Sequence, residues 1–351
     1  MPKIGILTNR SDTSYVFMHS VYDFEDCIVK ATGGELVYVP PRKYDLVNKC
    51  KRKVKLDGVR LKDSYDVLFC VSLNFGTALE DVLNWRDRCK YCICYIYDTW
   101  PNITKYDEAA IRRTLKHVDL LCFSFPESIS YFKILLNPLP FWVPQAINPD
   151  RFYYVPKLDR GVGVYMFGRQ PQGVFEKVKS YCMSRNFLMM QHNRLPFPEG
   201  KVLDWEDAYT MHAQLLLHAK VTLNWTMQLT HPSRIISSTT TRWFEPAATG
   251  CLVIGNEPSD GEFQKLFPIP GFVRKVDNDF GNLTALIEEA IQDKDSEDLR
   301  RQLAEHTRNH HTWYHRIARM LNRAKLSHLL KSEYQKYLTE DGLGNIAGPQ
   351  D

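Results

Sequence analysis

No apolar run in this 351-residue sequence approaches the roughly 18 residues that would suggest a membrane span. The N-terminal MPKIGILTNRSD turns polar after one short strand and does not read as a signal peptide, so a cytoplasmic location is expected. No G-x-G-x-x-G follows the first apolar run, which leaves a dinucleotide fold of the usual kind unsupported. The absence of G-x-x-x-x-G-K-[ST] removes the common nucleotide hydrolases, and no G-x-S-x-G elbow is present. Cys89, Cys92 and Cys94 in "CKYCICYIYD" superficially suggest a metal knuckle, but no second pair stands at finger-like spacing. "CICYIY" reads instead as a buried strand, and the nine cysteines are expected to be reduced core thiols. Internal repeats and low-complexity tracts are also lacking.

What is present fits a soluble globular chain long enough for two domains, with 44% hydrophobic and 25% charged residues. The net charge of +4 does not demand nucleic acid. Its one concentrated patch is Lys49–Lys55, "KCKRKVK", with five basic residues in seven. A solvated loop is the plain reading; a surface for anionic lipid or an acidic acceptor is the sharper one.

Short β-rich runs alternate with helix-length stretches. "KIGILT" (3–8), "ELVYV" (35–39), "DVLFCV" (66–71), "YCICYIY" (91–97) and "DLLCFS" (119–124) predict strands, with helices over 19–32, 77–88 and 104–117. A proline-rich stretch, 137–156, interrupts before the pattern restarts with "VGVYMF" (162–167), "FLMM" (187–190), "KVTLNW" (220–225), "CLVIG" (251–255) and "FVRKV" (272–276). Helices are expected near 173–184, 205–219, 281–292, 296–323 and 325–338. The alternation argues βαβ units, parallel sheets covered on both faces, and two α/β domains facing a cleft.

The strongest chemical signal is "SSTTTRWFEPAATGCLVIGNEPSD", residues 237–260. Thr239, Thr240 and Thr241 stand where a helix begins and are expected to cap its free amides. A helix N-terminus favours an anion, and Arg242 adds a fork of donors suited to phosphate. Glu245 offers two acceptor oxygens for the hydroxyls of a ribose. Together these residues ask for a nucleoside diphosphate group. A capped helix carrying an Arg–Glu pair on its exposed face is the competing reading, and Pro246 implies that the helix either starts near Glu245 or is kinked there.

"TRWFEPAATGCLVIG" resembles the signature of the retaining, two-domain family-four glycosyltransferases, and most closely the spore-maturation-protein branch with its R-x-F-E-x-x-A-x-G core. "VPQAINPDRF" (143–152) resembles the hinge V-P-x-G-x-D-x-x-x-F, with Ala146 and Asn148 in place of glycine and aspartate. "VYMFGRQP" (164–171), "KVTLNW" (220–225) and "HTWYHRIARML" (311–321) are similar to further motifs in the same order. The first domain matches only in layout and in "YIYDTW" (95–100).

The resemblance implies two Rossmann-like domains facing a central cleft, the GT-B type, and sugar transfer from a nucleotide-diphosphate sugar to a hydroxyl acceptor with retention. It implies an acceptor-binding domain over 1–145, a nucleotide-sugar domain over 146–323, a helix at 324–338 crossing back, and a flexible tail at 339–351. Carried over by position, Glu245 holds donor ribose and Arg169, after Gly168, neutralises the diphosphate. Asn224, Thr240 and Thr241 line the same pocket. The partner glutamate falls on Ser237, and the usual lysine has no clear counterpart, since Lys177 sits within the next helix; Arg242 stands as a substitute. Asp98 and, more remotely, His19 are candidates to orient or deprotonate the acceptor. No metal cofactor is expected. Asp277 and Asp279 form an Asp-x-Asp in a loop before a helix, and His306, His310, His311 and His315 read as a basic helix face. An epimerase of the same fold, or a non-catalytic nucleotide- or glycan-binding protein, are the alternatives.

Overall fold

The structure is a computed structural model. It describes residues 2–338 apart from 11–13, 16–17, 41–57, 74–76, 99–113, 134–139, 193–200, 203, 227–228, 230–236, 260 and 294. The chain divides into two compact units, one formed by 1–144 with 313–351 and the other by 145–312. Lys49–Lys55, most of the 104–117 helix and the tail at 339–351 lie outside the described residues.

The first unit is built on β1 (Ile4–Thr8), β2 (Glu35–Tyr38), β3 (Tyr65–Ser72), β4 (Cys89–Ile96), β5 (Leu120–Phe123) and β6 (Phe141–Trp142). They pair in the order β2-β1-β3-β4-β5-β6, all parallel. Apolar runs rather than alternating patterns make these strands, as sheets buried on both faces require. Helix α1 (His19–Thr32) covers β1. The eight cysteines among the described residues are free and buried. The expected helix over 77–88 is only one α-turn, Thr77–Glu80, followed by a 3₁₀ turn at Arg86–Arg88.

The second unit carries β7 (Val162–Phe167), α2 (Val174–Ser184), β8 (Met189–His192), α3 (Trp205–His218), β9 (Ala219–Asn224), α4 (Thr241–Thr249), β10 (Leu252–Gly255), β11 (Val273–Lys275), α5 (Leu283–Gln292) and α6 (Ser296–His310). The parallel sheet runs β11-β10-β9-β7-β8. Asp204 caps α3 by accepting from the amides of Glu206 and Asp207 at 3.0 and 3.1 Å. At the opposite edge two buried arginines satisfy chain ends. Arg160 donates to the carbonyls of Leu217, Ala219 and Thr249 at 2.6, 2.9 and 2.7 Å, and Arg300 to those of Lys220 and Gly250 at 3.0 and 2.7 Å. These groups belong to helix C-termini and strand starts that have no partner within their own element.

The single helix expected over 296–323 is two. The carbonyl of His311 accepts from the Ile147 amide at 3.2 Å, and Thr312 bridges Ile147, so the chain leaves helical geometry there. The second piece, α7 (Trp313–Arg323), returns to the first unit. Trp313 stacks on Phe24 with ring centroids 4.2 Å apart, and the buried Arg316 donates to the Pro144 carbonyl at 2.9 Å. The return to the first unit therefore begins at 313, not at 324 as the sequence suggested. The expected helix over 325–338 is also absent. Lys325 adopts a left-handed φ of 59° while the Leu326 amide reaches back to the Leu321 carbonyl, which ends α7. Between it and residue 338 only 3₁₀ turns form, at Ser327–Leu329 and Ser332–Leu338.

Candidate functional site

In the second sheet the chain leaves β7 to one side for β8 and then crosses to the other for β9. The carboxyl ends of strands at such a reversal form the crevice where open α/β sheets take ligands. Gly168 and Arg169 follow β7 here, Asn224 ends β9, and Arg242 begins the second position of α4. These four expected site residues are brought together.

Gly168 has a left-handed φ of 67°, and a Cβ on it would lie 2.9 Å from Arg242 Cζ. Glycine thus permits both the turn and the close approach of the guanidinium. Arg242 donates Nη2 to the Phe167 carbonyl at 3.3 Å and lies 5.5 Å from the centroid of the Phe167 ring. Burial pushes its pKa down to about 10; Glu245 opposes that shift and Arg169 adds to it. Its Nε and the Oδ1 of Asn224 are buried polar atoms with no hydrogen-bond partner among the described residues. The loop after Gly168 is fixed by Gln170, which donates to the Phe167 carbonyl at 3.0 Å and accepts from Trp225 Nε1 at 2.7 Å.

Pro246 has an explanation in this geometry. A residue with an amide at 246 would donate to the carbonyl of Arg242, one helical turn back. That carbonyl instead accepts from Asn224 Nδ2 at 2.8 Å, so the proline opens α4 to the end of β9.

Thr240 does not supply the expected side-chain cap. It is the N-cap residue in extended geometry, yet its side chain makes no capping hydrogen bond. The first amide, that of Thr241, donates instead to Gln145 Oε1 at 2.7 Å, a residue of the hinge stretch 96 positions earlier in sequence. In that stretch Asn148 replaces the expected aspartate and accepts from the Asp150 amide at 3.0 Å.

Glu245 is not on an exposed face; it is 4% exposed, with both oxygens engaged. Tyr209 donates to Oε1 at 2.6 Å and His212 Nε2 lies 3.2 Å from Oε2. The His212 Nδ1 is 2.7 Å from the Tyr165 hydroxyl, which is 3.4 Å from His192 Nδ1. Burial, and then the charge of His212, holds the His192 pKa below its usual value. Sequence reasoning missed Tyr209 and His212. Their spacing of three on α3, which puts both on one helix face, is the signal that could have found them.

In the first unit Asp98 stands two residues beyond β4, its amide donating to the Leu73 carbonyl at 2.8 Å, and His19 is the buried first residue of α1. At the reversal of that sheet Arg10 Nε donates to the buried Glu25 at 2.9 Å, alongside the Thr8 hydroxyl at 2.7 Å. In the Asp-x-Asp, Asp279 accepts from the Gly281 amide and the Asp277 amide donates to Asn282, both at a turn. His306 and His311 both lie within hydrogen-bond distance of the Leu266 carbonyl, while His315 sits on α7 in the other unit. Among the described residues no group of three His, Cys, Asp or Glu is placed to hold a metal, and no helix is long and apolar enough to cross a membrane.

Residues 187–322 match a family model described as glycosyl transferase-like. No curated protein matches the chain. Among solved structures, sucrose-phosphate synthase from Thermosynechococcus elongatus superposes with a TM-score of 0.53 at 10% identity, over 93% of this chain and 98% of that one. HepE from Anabaena, in complex with UDP-glucose, gives 0.53 at 9% identity over 93% and 100%. AviGT4, a glycosyltransferase involved in avilamycin A biosynthesis, gives 0.50 at 12% over 93% and 97%. The fold is GT-B. In this GT-B chain the second sheet's reversal, with Arg169 and Arg242 beside it, lies within the unit that carries most of the family match.

Proposed function

We propose that this chain transfers a sugar from a nucleoside-diphosphate sugar to a hydroxyl acceptor. The observation that carries the reading is the meeting of Arg169 and Arg242 at the carboxyl end of β7, close enough for one charge to depress the ionisation of the other. A diphosphate placed there relieves that repulsion and takes the fork of donors that Arg242 presents. Asn224, Thr240 and Thr241 line the same end of the sheet. Glu245 lies a turn further along α4; with one partner on each oxygen it keeps a lone pair on each for a ribose diol. HepE, of the same fold, is described in complex with UDP-glucose.

The oxocarbenium-like transition state develops negative charge on the leaving diphosphate, and the two arginines stabilise it without a metal ion. Retention, a hexose or related sugar, and the spore-maturation branch follow from the sequence resemblance. The first unit binds the acceptor, with Asp98 orienting or deprotonating its hydroxyl and His19 as the second candidate. The basic run Lys49–Lys55, five basic residues in seven by sequence, suits contact with an anionic acceptor or the inner face of a membrane.

Melting curves with uridine, guanosine and adenosine diphosphates and their sugars test the donor site. One of these ligands at a hundredfold excess over its Kd adds about 2.7 kcal/mol, a rise of several degrees. Arg242→Ala removes that rise. If no nucleotide shifts the wild type, or Arg242→Ala responds equally, the donor site is misassigned.

A further inference from the structure

We infer that Tyr209 and His212 are positioning residues that hold the Glu245 carboxylate in the one orientation able to receive a ribose diol. The inference rests on the donor-site reading and names residues that the reading leaves unassigned.

A glutamate one turn into a helix has three side-chain torsions, and each must be fixed for two oxygens to meet two hydroxyls at once. Here one donor is supplied to each oxygen from the same face of α3: the Tyr209 hydroxyl to Oε1 at 2.6 Å and His212 Nε2 to Oε2 at 3.2 Å. The two rings lie nearly parallel, with centroids 5.8 Å apart and planes 9° apart. Phe152 meets the Tyr209 ring edge-on at 5.2 Å, and Phe167, the last residue of β7, meets the His212 ring at 4.6 Å. Neither ring can turn without disturbing a packed neighbour.

Glu245 only accepts, so Tyr209 and His212 Nε2 donate to it. His212 Nδ1 lies 2.7 Å from the Tyr165 hydroxyl, so a hydrogen bond joins the two in whichever direction the proton sits. Tyr165 is fully buried on β7, so the chain of hydrogen bonds ties Glu245 to the strand that ends in Gly168 and Arg169. Ribose site and diphosphate site are thereby held by one scaffold. Removing the Tyr209 hydroxyl frees one oxygen to rotate and leaves the fold of α3 and α4 in place.

The test pairs a ligand change with a protein change. The full-length chain is titrated calorimetrically with whichever of uridine, guanosine or adenosine diphosphate raises its melting temperature, and with the 2′-deoxy counterpart. Wild type is expected to favour the ribonucleotide by on the order of tenfold or more, as loss of a hydrogen bond to a charged group implies. Tyr209→Phe and His212→Leu are expected to weaken the ribonucleotide by on the order of tenfold and the deoxynucleotide little, so the preference collapses. His212→Gln, which keeps a donor near Oε2, is expected to restore part of it. A merely structural role would weaken both nucleotides alike, and that result overturns the inference, as does an undiminished preference in both variants or the lack of any preference in wild type. Failure of wild type to bind all three diphosphates overturns the donor-site reading itself.

Discussion

The side-chain amide of Asn224 donates to the main-chain carbonyl of Arg242 at 2.8 Å, in the place a helical N–H would occupy had residue 246 not been proline. Strand end and helix are thus joined by a bond that the helix gave up. Asn224→Ala should leave that carbonyl unpaired and lower stability by about 1–3 kcal/mol. In a Pro246→Ala background the backbone N–H returns, and the same substitution should be milder by about 1 kcal/mol. Urea unfolding of the four proteins in the cycle measures the difference; equal penalties in both backgrounds would refute the exchange.

Gly168→Ala meets two obstacles, a left-handed φ and a Cβ 2.9 Å from Arg242 Cζ. The backbone term alone is about 1–2 kcal/mol. Displacement of the guanidinium should add a loss of diphosphate affinity of about tenfold, read by calorimetry. A variant that melts lower yet binds with full affinity would separate the turn from the arginine.

Arg160 holds the carbonyls of Leu217, Ala219 and Thr249 in a buried fork. Arg160→Ala should destabilise the chain by about 3 kcal/mol or more, since each buried carbonyl left unpaired carries its own penalty. Arg160→Lys should recover only a minor part, because a single ammonium cannot span three directions. Denaturant midpoints decide between them.

His306 predicts a pH dependence. Burial, the largest influence, and nearby His310 hold its pKa below 6.5 against the opposing effect of the Leu266 carbonyl. The unfolded chain therefore takes up this proton first as pH falls, and stability present above about pH 6.5 is lost below it. Each unit of depression is worth about 1.36 kcal/mol. Midpoints at about pH 7.5 and 5.5 should fall less in His306→Gln than in wild type; an identical fall would mean that other groups carry the slope.

Much of the fold was legible because buried parallel strands are written as continuous apolar runs; "VGVYMF" needed no partner to be recognised, and β7 spans those same six residues. The positions of Gly168, Arg169 and Asn224 could be read because they end or directly follow strands, and that of Arg242 because a helix begins there. What escaped depends on residues distant in sequence. The first amide of α4 is taken by Gln145, while the N-cap Thr240 side chain makes no capping bond. The break between α6 and α7 is imposed by Ile147, with no proline or glycine to mark it. Tyr209 and His212 are ordinary helix residues until Glu245 is placed beside them.

Trp313 lies against Phe24, with Tyr95 and Tyr97 within 6.3 Å of its ring. During synthesis these aromatics emerge long before the tryptophan that covers them. The first unit must wait with an unfinished interior while 145–312, an unbroken stretch, is made and can fold. Vectorial synthesis thus leaves the first-born half open until nearly the whole chain has been made, its aromatic cluster uncovered while the second unit is synthesised.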